Sequence, residues 1–584
     1  MTAASIAAAV NARETTAVAQ AQAALARIAA YDAIQPQLWI SRAAPEQVLA
    51  AARAIDARIA AGETLPLAGV PYAAKDNIDV EGFQTTAACP AFAYQPEASA
   101  TVTERLAAAG AICMGKTNLD QFATGLVGVR SPYGIPRNAF NRAYVSGGSS
   151  SGSAIAVAAG LVPIALGTDT AGSGRVPAAF NHLIGLKPTK GRWPTRGVVP
   201  ACRSVDCVTV FAYGTADAGL VDKVLASFDP ADPWSKPLAD CSLSPRRVGV
   251  PLRHQRQWFG DAESEFLYDR ALDNLSFLAE IVEIDIAPLQ EAAQLLYGGP
   301  WVAERTAAMA QILTDNPDAV DPAVRAVVEA GWSKTAVEAF NGVYRLAELK
   351  RHADLMWESL DALAFPTTGT TYRVAELAAA PIALNSNLGA YTNFVNLLDM
   401  AALAIPAGTR HNATGFGITL IGPADTDRAL LTLADAYLAK ADLAPPPPLD
   451  LEGHMQTVKL AVVGAHLKDM PLHWQLTSRE ATFVEATHTA PTYKLYAMAD
   501  SVPPKPALIH TAEGGAPIAV EVYELGVAEF GSFTVEVPAP LAIGTVTLAD
   551  GTSVKGFVAE PRAIACAEDI THLGGWRAYI AQKN

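Results

Sequence analysis

The sequence predicts an α/β fold, a mixed central sheet covered by helices, followed by a smaller C-terminal α+β domain. Three observations carry this expectation. Helix-patterned and strand-patterned stretches alternate through residues 44–114, the order that a helix-covered sheet requires. Between 146 and 187, two Gly/Ser clusters enclose a run rich in Ala, Val, Leu and Ile, as expected of loops meeting at one end of a sheet. Finally, four consecutive prolines at 445–448 favour an extended, stiff spacer, and strand signals dominate after them.

At 584 residues the chain is too long for one ordinary core. The expected organisation is a first domain over 1–440, a Pro-rich linker over 441–455 and a second domain over 456–584. Residues 3–30 are Ala-rich and helical in character, and 44–62 predict a helix ending at Gly62. Residues 66–75 predict a strand that delivers Lys75, 101–110 a helix ending at Gly110, and 111–114 another strand. Gly147 to Gly152 predict a tight loop. Ser151 or Ser153 is expected to cap a helix over 154–159 that Gly160 ends. Residues 161–166 predict a buried strand and 167–174 the turn beyond it. Further helices are expected near 264–282 and 335–361. In the second domain strands are expected over 457–465, 518–525, 541–548 and 553–558, with a turn at Asp550-Gly551.

Composition narrows the function. With 51% hydrophobic and 17% charged residues the chain reads as globular. Its net charge of −15 disfavours a nucleic-acid surface, which needs a basic face, yet permits a local cationic pocket. The weakly polar run of about 15 residues near the Gly/Ser clusters contains Gly160 and Pro163, which fits core rather than a membrane span. The first residues lack a basic lead and a long apolar stretch, so no signal peptide is expected. Six cysteines without a CxxC pair fit reduced thiols of a cytoplasmic protein better than a metal site.

Gly147-Gly148-Ser149-Ser150-Ser151-Gly152-Ser153, then Gly167-Thr168-Asp169-Thr170-Ala171-Gly172-Ser173-Gly174-Arg175, resemble the amidase signature family. The upstream segment 69–77, which contains Lys75, is similar to that family's lysine segment, so three motifs occur in order. The resemblance implies amide hydrolysis by a Ser–cis-Ser–Lys triad: Ser173 as nucleophile, Ser149 as the bridging serine in a cis peptide, Lys75 as base. A serine hydroxyl needs such a base within reach, and Lys75 serves only if burial depresses its pKa. Ser149, both donor and acceptor, relays the proton. The same resemblance places the N–H groups of Thr170, Ala171, Gly172 and Ser173 at the oxyanion and makes Asp169 and Arg175 an ion pair holding the loop. A competing scheme exists: Gly148-Ser149-Ser150-Ser151-Gly152 satisfies GxSxG, which makes Ser150 a nucleophile elbow if it sits on a strand-to-helix turn.

The details of 168–178 and of Leu296-Tyr297-Gly298-Gly299-Pro300-Trp301-Val302-Ala303-Glu304-Arg305 resemble allophanate hydrolases in particular. Carried over, Tyr297 and Arg305 bind substrate, with Gly125 near the pocket. A planar guanidinium grips a carboxylate with paired hydrogen bonds, and allophanate is urea bearing a carboxylate. Pro300 suits a first helical position, with Tyr297 just before the helix and Arg305 in its second turn. The alternative is a surface Arg305 paired with Glu304 or Glu338 and a core Tyr297. The implied reaction needs neither metal nor organic cofactor. It releases ammonia and N-carboxycarbamate, which decarboxylates onward.

Segments 458–467, 470–472 and 574–579 resemble the C-terminal domain of full-length allophanate hydrolases. This implies decarboxylation of that intermediate, with a cyclotransferase-like fold and His466 at a strand end as the candidate contact. The alternative is a loop histidine in a domain that stabilises a dimer. The resemblance further implies a homodimer, a small anionic substrate, and a link to urea carboxylase or biuret hydrolase, with no nucleic-acid or membrane partner. A broader-range amidase and a transamidating subunit that needs partners are the remaining alternatives.

Overall fold

The computed structural model describes residues 2–243, 246–447, 449, 457–479, 481–498, 503–565 and 567–583. The chain divides into two compact units, Met1–Glu452 and Gly453–Asn584. Of the expected linker over 441–455, positions 448 and 450–455 lie outside the described residues, and 442–447 are neither helix nor strand.

The first unit is built on an eleven-stranded mixed sheet. In chain order its strands are β1 (Trp39–Arg42), β2 (Val70–Lys75), β3 (Ala111–Thr117), β4 (Ile164–Asp169), β5 (Ile184–Lys187), β6 (Cys207–Ala212), β7 (Arg247–Pro251), β8 (Glu280–Ile284), β9 (Ala362–Pro366), β10 (Ala401–Thr409) and β11 (Gly415–Gly422). Their spatial order is β1-β3-β2-β4-β6-β5-β10-β11-β9-β7-β8. The triplet β3-β2-β4 is parallel, β6 runs antiparallel beside β4, and β7 pairs in parallel with both β8 and β9.

Helices cover this sheet. Ala17–Asp32 packs on Pro45–Ala60 and β2, and Ser151–Ala158 packs on β2, β3, β4 and β6. All eight residues of Ser151–Ala158 are buried, as is all of β4. A helix apolar or small on every side belongs in an interior, and this one reads SGSAIAVA. Complete burial of Ile155 alone contributes about 1.5–3 kcal/mol.

Three local expectations need correction. Neither Ser151 nor Ser153 caps this helix: the cap position is Ser150, without a side-chain capping bond. The Ser151 hydroxyl donates to the Asn118 carbonyl and the Ser153 hydroxyl to the Leu166 carbonyl. In so tightly buried a helix these hydroxyls satisfy neighbouring elements instead. The strand expected over 161–166 is Ile164–Asp169. Gly160, at φ 70, ends the helix as expected, but Leu161 to Pro163 serve the connection, and Gly167-Thr168-Asp169 extend the strand. The hydroxyl and carboxylate that read as turn residues are thereby held at a strand terminus.

Helices at Ala262–Ser276 and Ala336–Met356 replace the longer ones expected near 264–282 and 335–361. The last three residues of the first window, 280–282, belong to β8 (Glu280–Ile284) instead. No helix among the described residues is long and apolar enough to cross a membrane.

The second unit contains a five-stranded and a three-stranded sheet. Its strands are β12 (Thr457–Val462), β13 (Thr482–His488), β14 (Tyr493–Ala497), β15 (Pro506–His510), β16 (Ala519–Gly526), β17 (Leu541–Thr547), β18 (Ser553–Ala559) and β19 (Glu568–Asp569). The orders are β13-β16-β12-β18-β17 and β15-β14-β19. The four expected strands correspond to β12, β16, β17 and β18. Strand β13 escaped the sequence pattern because it is an edge strand whose side chains are exposed or half-buried, with no alternation to read. Helices Val527–Val535 and Trp576–Lys583 complete an α+β unit whose core includes Leu460, Val522, Phe533 and Trp576.

Candidate functional site

Two neighbouring parallel strands build the centre of the site. β2 and β4 pair in register from Tyr72 with Ile164 to Ala74 with Leu166, so Lys75 and Thr168 emerge together at their carboxyl ends, where open α/β sheets place ligands. Lys75 Nζ is wholly buried and donates to Ser149 Oγ at 2.7 Å and to Thr168 Oγ1 at 2.8 Å. Another buried lysine, Lys116, lies 3.1 Å from the Asp76 carboxylate, whereas the hydrogen bonds of Lys75 go to hydroxyls. Burial pushes the Lys75 ammonium down to about 7, against the opposing pull of Asp120, Asp206 and Asp169. Sequence reasoning had missed Thr168. It lies inside the GTDTAGSGR segment, whose composition predicts a turn there.

Ser149 is held from both sides. The Gly148–Ser149 peptide is cis, and the Ser149 carbonyl accepts the Asp120 amide at 3.0 Å. A Cβ on Gly148 would stand 2.1 Å from Asp120 Oδ2 and 2.5 Å from the Gly128 nitrogen, so only glycine fits. Asp120 accepts the Gly128 and Arg130 amides at 2.9 and 3.0 Å, which fixes the loop that carries Gly125.

Ser173 Oγ donates to the Gly125 carbonyl at 3.4 Å. The loop before it is braced by Asp169 and Arg175, both fully buried, with Nε and Nη2 each 2.9 Å from the carboxylate. Asp169 also accepts the Gly172 amide at 2.8 Å and the Gly174 amide at 3.1 Å. Burial works to raise the Asp169 carboxyl, but the Arg175 charge and its hydrogen bonds prevail and hold it below its ordinary value. The four amides expected at the oxyanion differ in their hydrogen bonds. Gly172 N–H is committed to Asp169, while the amides of Thr170, Ala171 and Ser173 carry no hydrogen bond among the described residues. Gly172 serves the turn instead, at φ 128 and with Thr392 Oγ1 2.5 Å from where a Cβ would stand.

Ser150 is not on a strand-to-helix turn, since 146–150 form no strand, and its buried hydroxyl donates to the Thr168 carbonyl at 3.1 Å. The elbow scheme loses its structural requirement.

Arg305 is only 1% exposed. Its Nη1 donates to Thr124 Oγ1 at 3.2 Å and its Nη2 to the Tyr297 hydroxyl at 3.3 Å, and the guanidinium lies over the Tyr297 ring at 4.8 Å. Its Nε is buried without a hydrogen-bond partner. The surface alternative is excluded: Glu304 faces Ser204 and Cys202, and Glu338 caps its own helix at Thr335. Tyr297 is not just before the helix that carries Arg305. It is the last residue of the preceding helix, Ala287–Tyr297, and Pro300 is the cap of Trp301–Asp315. The tight Tyr297-Gly298-Gly299-Pro300 connection folds the ring back onto the guanidinium. Asp206, also missed, accepts the Thr170 hydroxyl at 2.5 Å.

In the second unit His466 lies beyond the end of β12. Its Nε2 hydrogen-bonds to Gln475 Oε1 at 2.7 Å, and its ring stacks on Phe557 at 4.9 Å with Phe533 edge-on at 5.1 Å. Burial lowers its pKa from the ordinary value. With Lys505 and Glu536 it lines a cavity of about 220 Å³. No cluster of metal-ligating side chains occurs among the described residues.

Comparison with known proteins agrees with this architecture. The amidase family matches residues 21–431, and the allophanate hydrolase C-terminal domain matches residues 458–581. An allophanate hydrolase structure from Kluyveromyces lactis superposes with a TM-score of 0.68 at 40% identity, covering 97% of this chain and 99% of that one. The urea amidolyase of Saccharomyces cerevisiae is 44% identical over 569 residues, which are 93% of this chain but only 31% of that protein. The chain thus spans about a third of that relative's length. A glutamyl-tRNA(Gln) amidotransferase subunit of Chloroflexus aggregans is 34% identical over 474 residues, 74% of this chain and 95% of the relative. The chain belongs to the amidase family and carries an allophanate hydrolase C-terminal domain after its amidase domain.

Proposed function

We propose that the chain hydrolyses allophanate, with Ser173 as nucleophile, Ser149 as proton relay and Lys75 as general base. One observation carries the choice of substrate. A fully buried guanidinium, that of Arg305, has an unsatisfied Nε and bonds Thr124, the neighbour of the residue whose carbonyl holds the Ser173 hydroxyl. Such a group costs several kcal/mol to bury alone, and a substrate carboxylate would satisfy it with charge-assisted hydrogen bonds.

The geometry supports the following steps. Neutral Lys75 draws the proton of Ser149, which takes that of Ser173 once the Ser173 hydroxyl leaves the Gly125 carbonyl. Ser173 Oγ attacks the terminal amide carbonyl. The free amides of Thr170, Ala171 and Ser173 meet the developing oxyanion, at roughly 3 kcal/mol for each well-placed donor. The proton returns through Ser149 to the leaving ammonia, and water then cleaves the acyl-enzyme to N-carboxycarbamate. The residues need no metal or organic cofactor for these steps.

The second unit is proposed to bind that dianion in the His466 cavity, where Lys505 supplies positive charge and His466 exchanges a proton as the anion loses carbon dioxide. The product is carbamate, which decays to ammonia and a second carbon dioxide. An apolar stripe on Ala336–Met356, with Val337, Phe340 and Tyr344 exposed, supports pairing with a second copy of the chain, since large exposed patches mark association sites. Free cysteines at 89, 113, 202, 207 and 241 support a reducing, cytoplasmic setting. The upstream reactions would be those that make allophanate, carboxylation of urea or hydrolysis of biuret.

Ammonia release from allophanate and from biuret tests the reading. The two substrates differ chiefly in the carboxylate. Fast turnover of allophanate with little of biuret is expected. Equal rates would remove Arg305 as the selector, and turnover of neither would point to another amide or to a partner-dependent transamidation.

A further inference from the structure

The short segment 201–206 lies between the oxyanion loop and the helix that carries Arg305, and two carboxylates tie it to both. Asp206 accepts the amides of Ala201 and Cys202 at 2.9 and 3.1 Å, which folds the segment onto itself. Its other oxygen accepts the Thr170 hydroxyl at 2.5 Å. At the far side, Glu304 accepts the Ser204 amide at 2.7 Å, the Ser204 hydroxyl at 2.6 Å and the Cys202 thiol at 3.0 Å. Glu304 immediately precedes Arg305, so the residue that anchors the helix and the residue that faces the substrate share one helical turn.

Asp206 is buried and feels both charges of the site. Burial raises its carboxyl to about 6, while Thr170, Arg305 and the Cys202 and Ala201 amides pull the other way. A buried carboxylate is costly unless both oxygens are satisfied. Oδ1 holds the Thr170 hydroxyl and, at 3.2 Å, the Cys202 amide as well, and Oδ2 holds the amides of Ala201 and Cys202. An amide in its place sets its own N–H against the Cys202 N–H whichever way it turns, and its bond to the Thr170 hydroxyl loses the charge assistance, so no isosteric neutral residue keeps the whole set.

We propose that Asp206 is a positioning residue for the oxyanion loop and that segment 201–206, through Glu304, couples the helix gripping the substrate carboxylate to that loop. This rests on the allophanate reading. Thr170 N–H is aimed through its own side chain, and the anchor of that side chain shares segment 201–206 with the anchor of the Arg305 helix.

The test uses the full chain with Asp206→Asn, Thr170→Val, Glu304→Gln and the double variant Asp206→Asn/Glu304→Gln. Two readouts are taken: steady-state kinetics on allophanate, and the rate at which a small uncharged sulfonyl fluoride labels Ser173, followed by intact mass. Asp206→Asn is expected to lower kcat at least tenfold with KM within twofold, and Thr170→Val to reproduce that loss from the other end of the same hydrogen bond. The double variant is expected to lose no more than the worse of its two single variants, as residues acting in one unit do. A kcat within twofold of the parent in Thr170→Val, or losses that multiply in the double variant, overturns the proposal. Should the parent label but not turn over allophanate, the substrate reading fails by itself. The labelling rate then decides the positioning role: tenfold slower in Thr170→Val upholds it, and an unchanged rate ends it.

Discussion

Lys75 Nζ donates to Ser149 Oγ at 2.7 Å across 74 positions of sequence. The bond joins the end of a strand to a cis peptide in a loop, inside an interior that excludes water from the ammonium. With the pKa pushed down to about 7, the lysine is neutral above that pH and charged below it. The proposed mechanism needs the neutral form, so kcat/KM is expected to rise with pH through about 7 and then level. Lys75→Met should lower the activity by at least a thousandfold at every pH, since the base that drives the Ser149 relay is lost. A pH–rate profile of the parent that is flat from 5.5 to 8.5 would contradict this role.

Ser173 and Ser150 are separated by a simple substitution pair. Ser173→Ala is expected to eliminate acylation. Ser150→Ala removes the hydrogen bond to the Thr168 carbonyl and the longer one from the Thr168 amide at 3.3 Å, each worth about 1 kcal/mol of stability, and should retain activity within severalfold. Ammonia assays on both, alongside thermal unfolding, check the pair.

The Asp169–Arg175 pair predicts a stability effect. Arg175→Met leaves a buried carboxylate without its partner, which costs about 3–5 kcal/mol, read as a lower denaturation midpoint. The folded Asp169 carboxyl lies below its ordinary 3.8, so its contribution is complete above that pH and is lost as pH falls through the folded value. Acid unfolding of the parent should therefore extend below pH 4, and Arg175→Met should move the transition upward in pH. Coincident acid transitions would show that the pair is neutral to folding.

Arg305→Lys keeps a positive charge but cannot retain the planar fork or the stack on Tyr297. KM for allophanate is expected to rise tenfold or more. Tyr297→Phe keeps the ring under the guanidinium and loses one hydrogen bond at 3.3 Å, so a rise of a few-fold is expected. Equal effects on allophanate and biuret would show that neither residue reads the carboxylate.

In the second unit, His466→Ala is expected to slow carbon dioxide release from N-carboxycarbamate while leaving the first ammonia unchanged. An unaltered rate of carbon dioxide release would restrict His466 to packing between Phe533 and Phe557.

The sequence by itself determined the α/β class, the position of Lys75 at a strand end, the two hydroxyl-rich loops and the residues worth testing. Those features are local: periodicity, glycine clusters and fixed spacings survive in one dimension. Only the tertiary structure decided which of those groups meet. Thr168 became a partner of Lys75 because β4 runs three residues further than its apolar pattern suggests and lies beside β2. The Gly172 amide turned to Asp169 because that carboxylate, three residues earlier, folds back onto it. Tyr297 reached Arg305 because two helices meet at a tight Gly-Gly-Pro connection, and Asp206 entered the site across 36 residues to bond Thr170. Each depends on long-range register and on competition among buried donors for few acceptors, which spacing along a chain does not record.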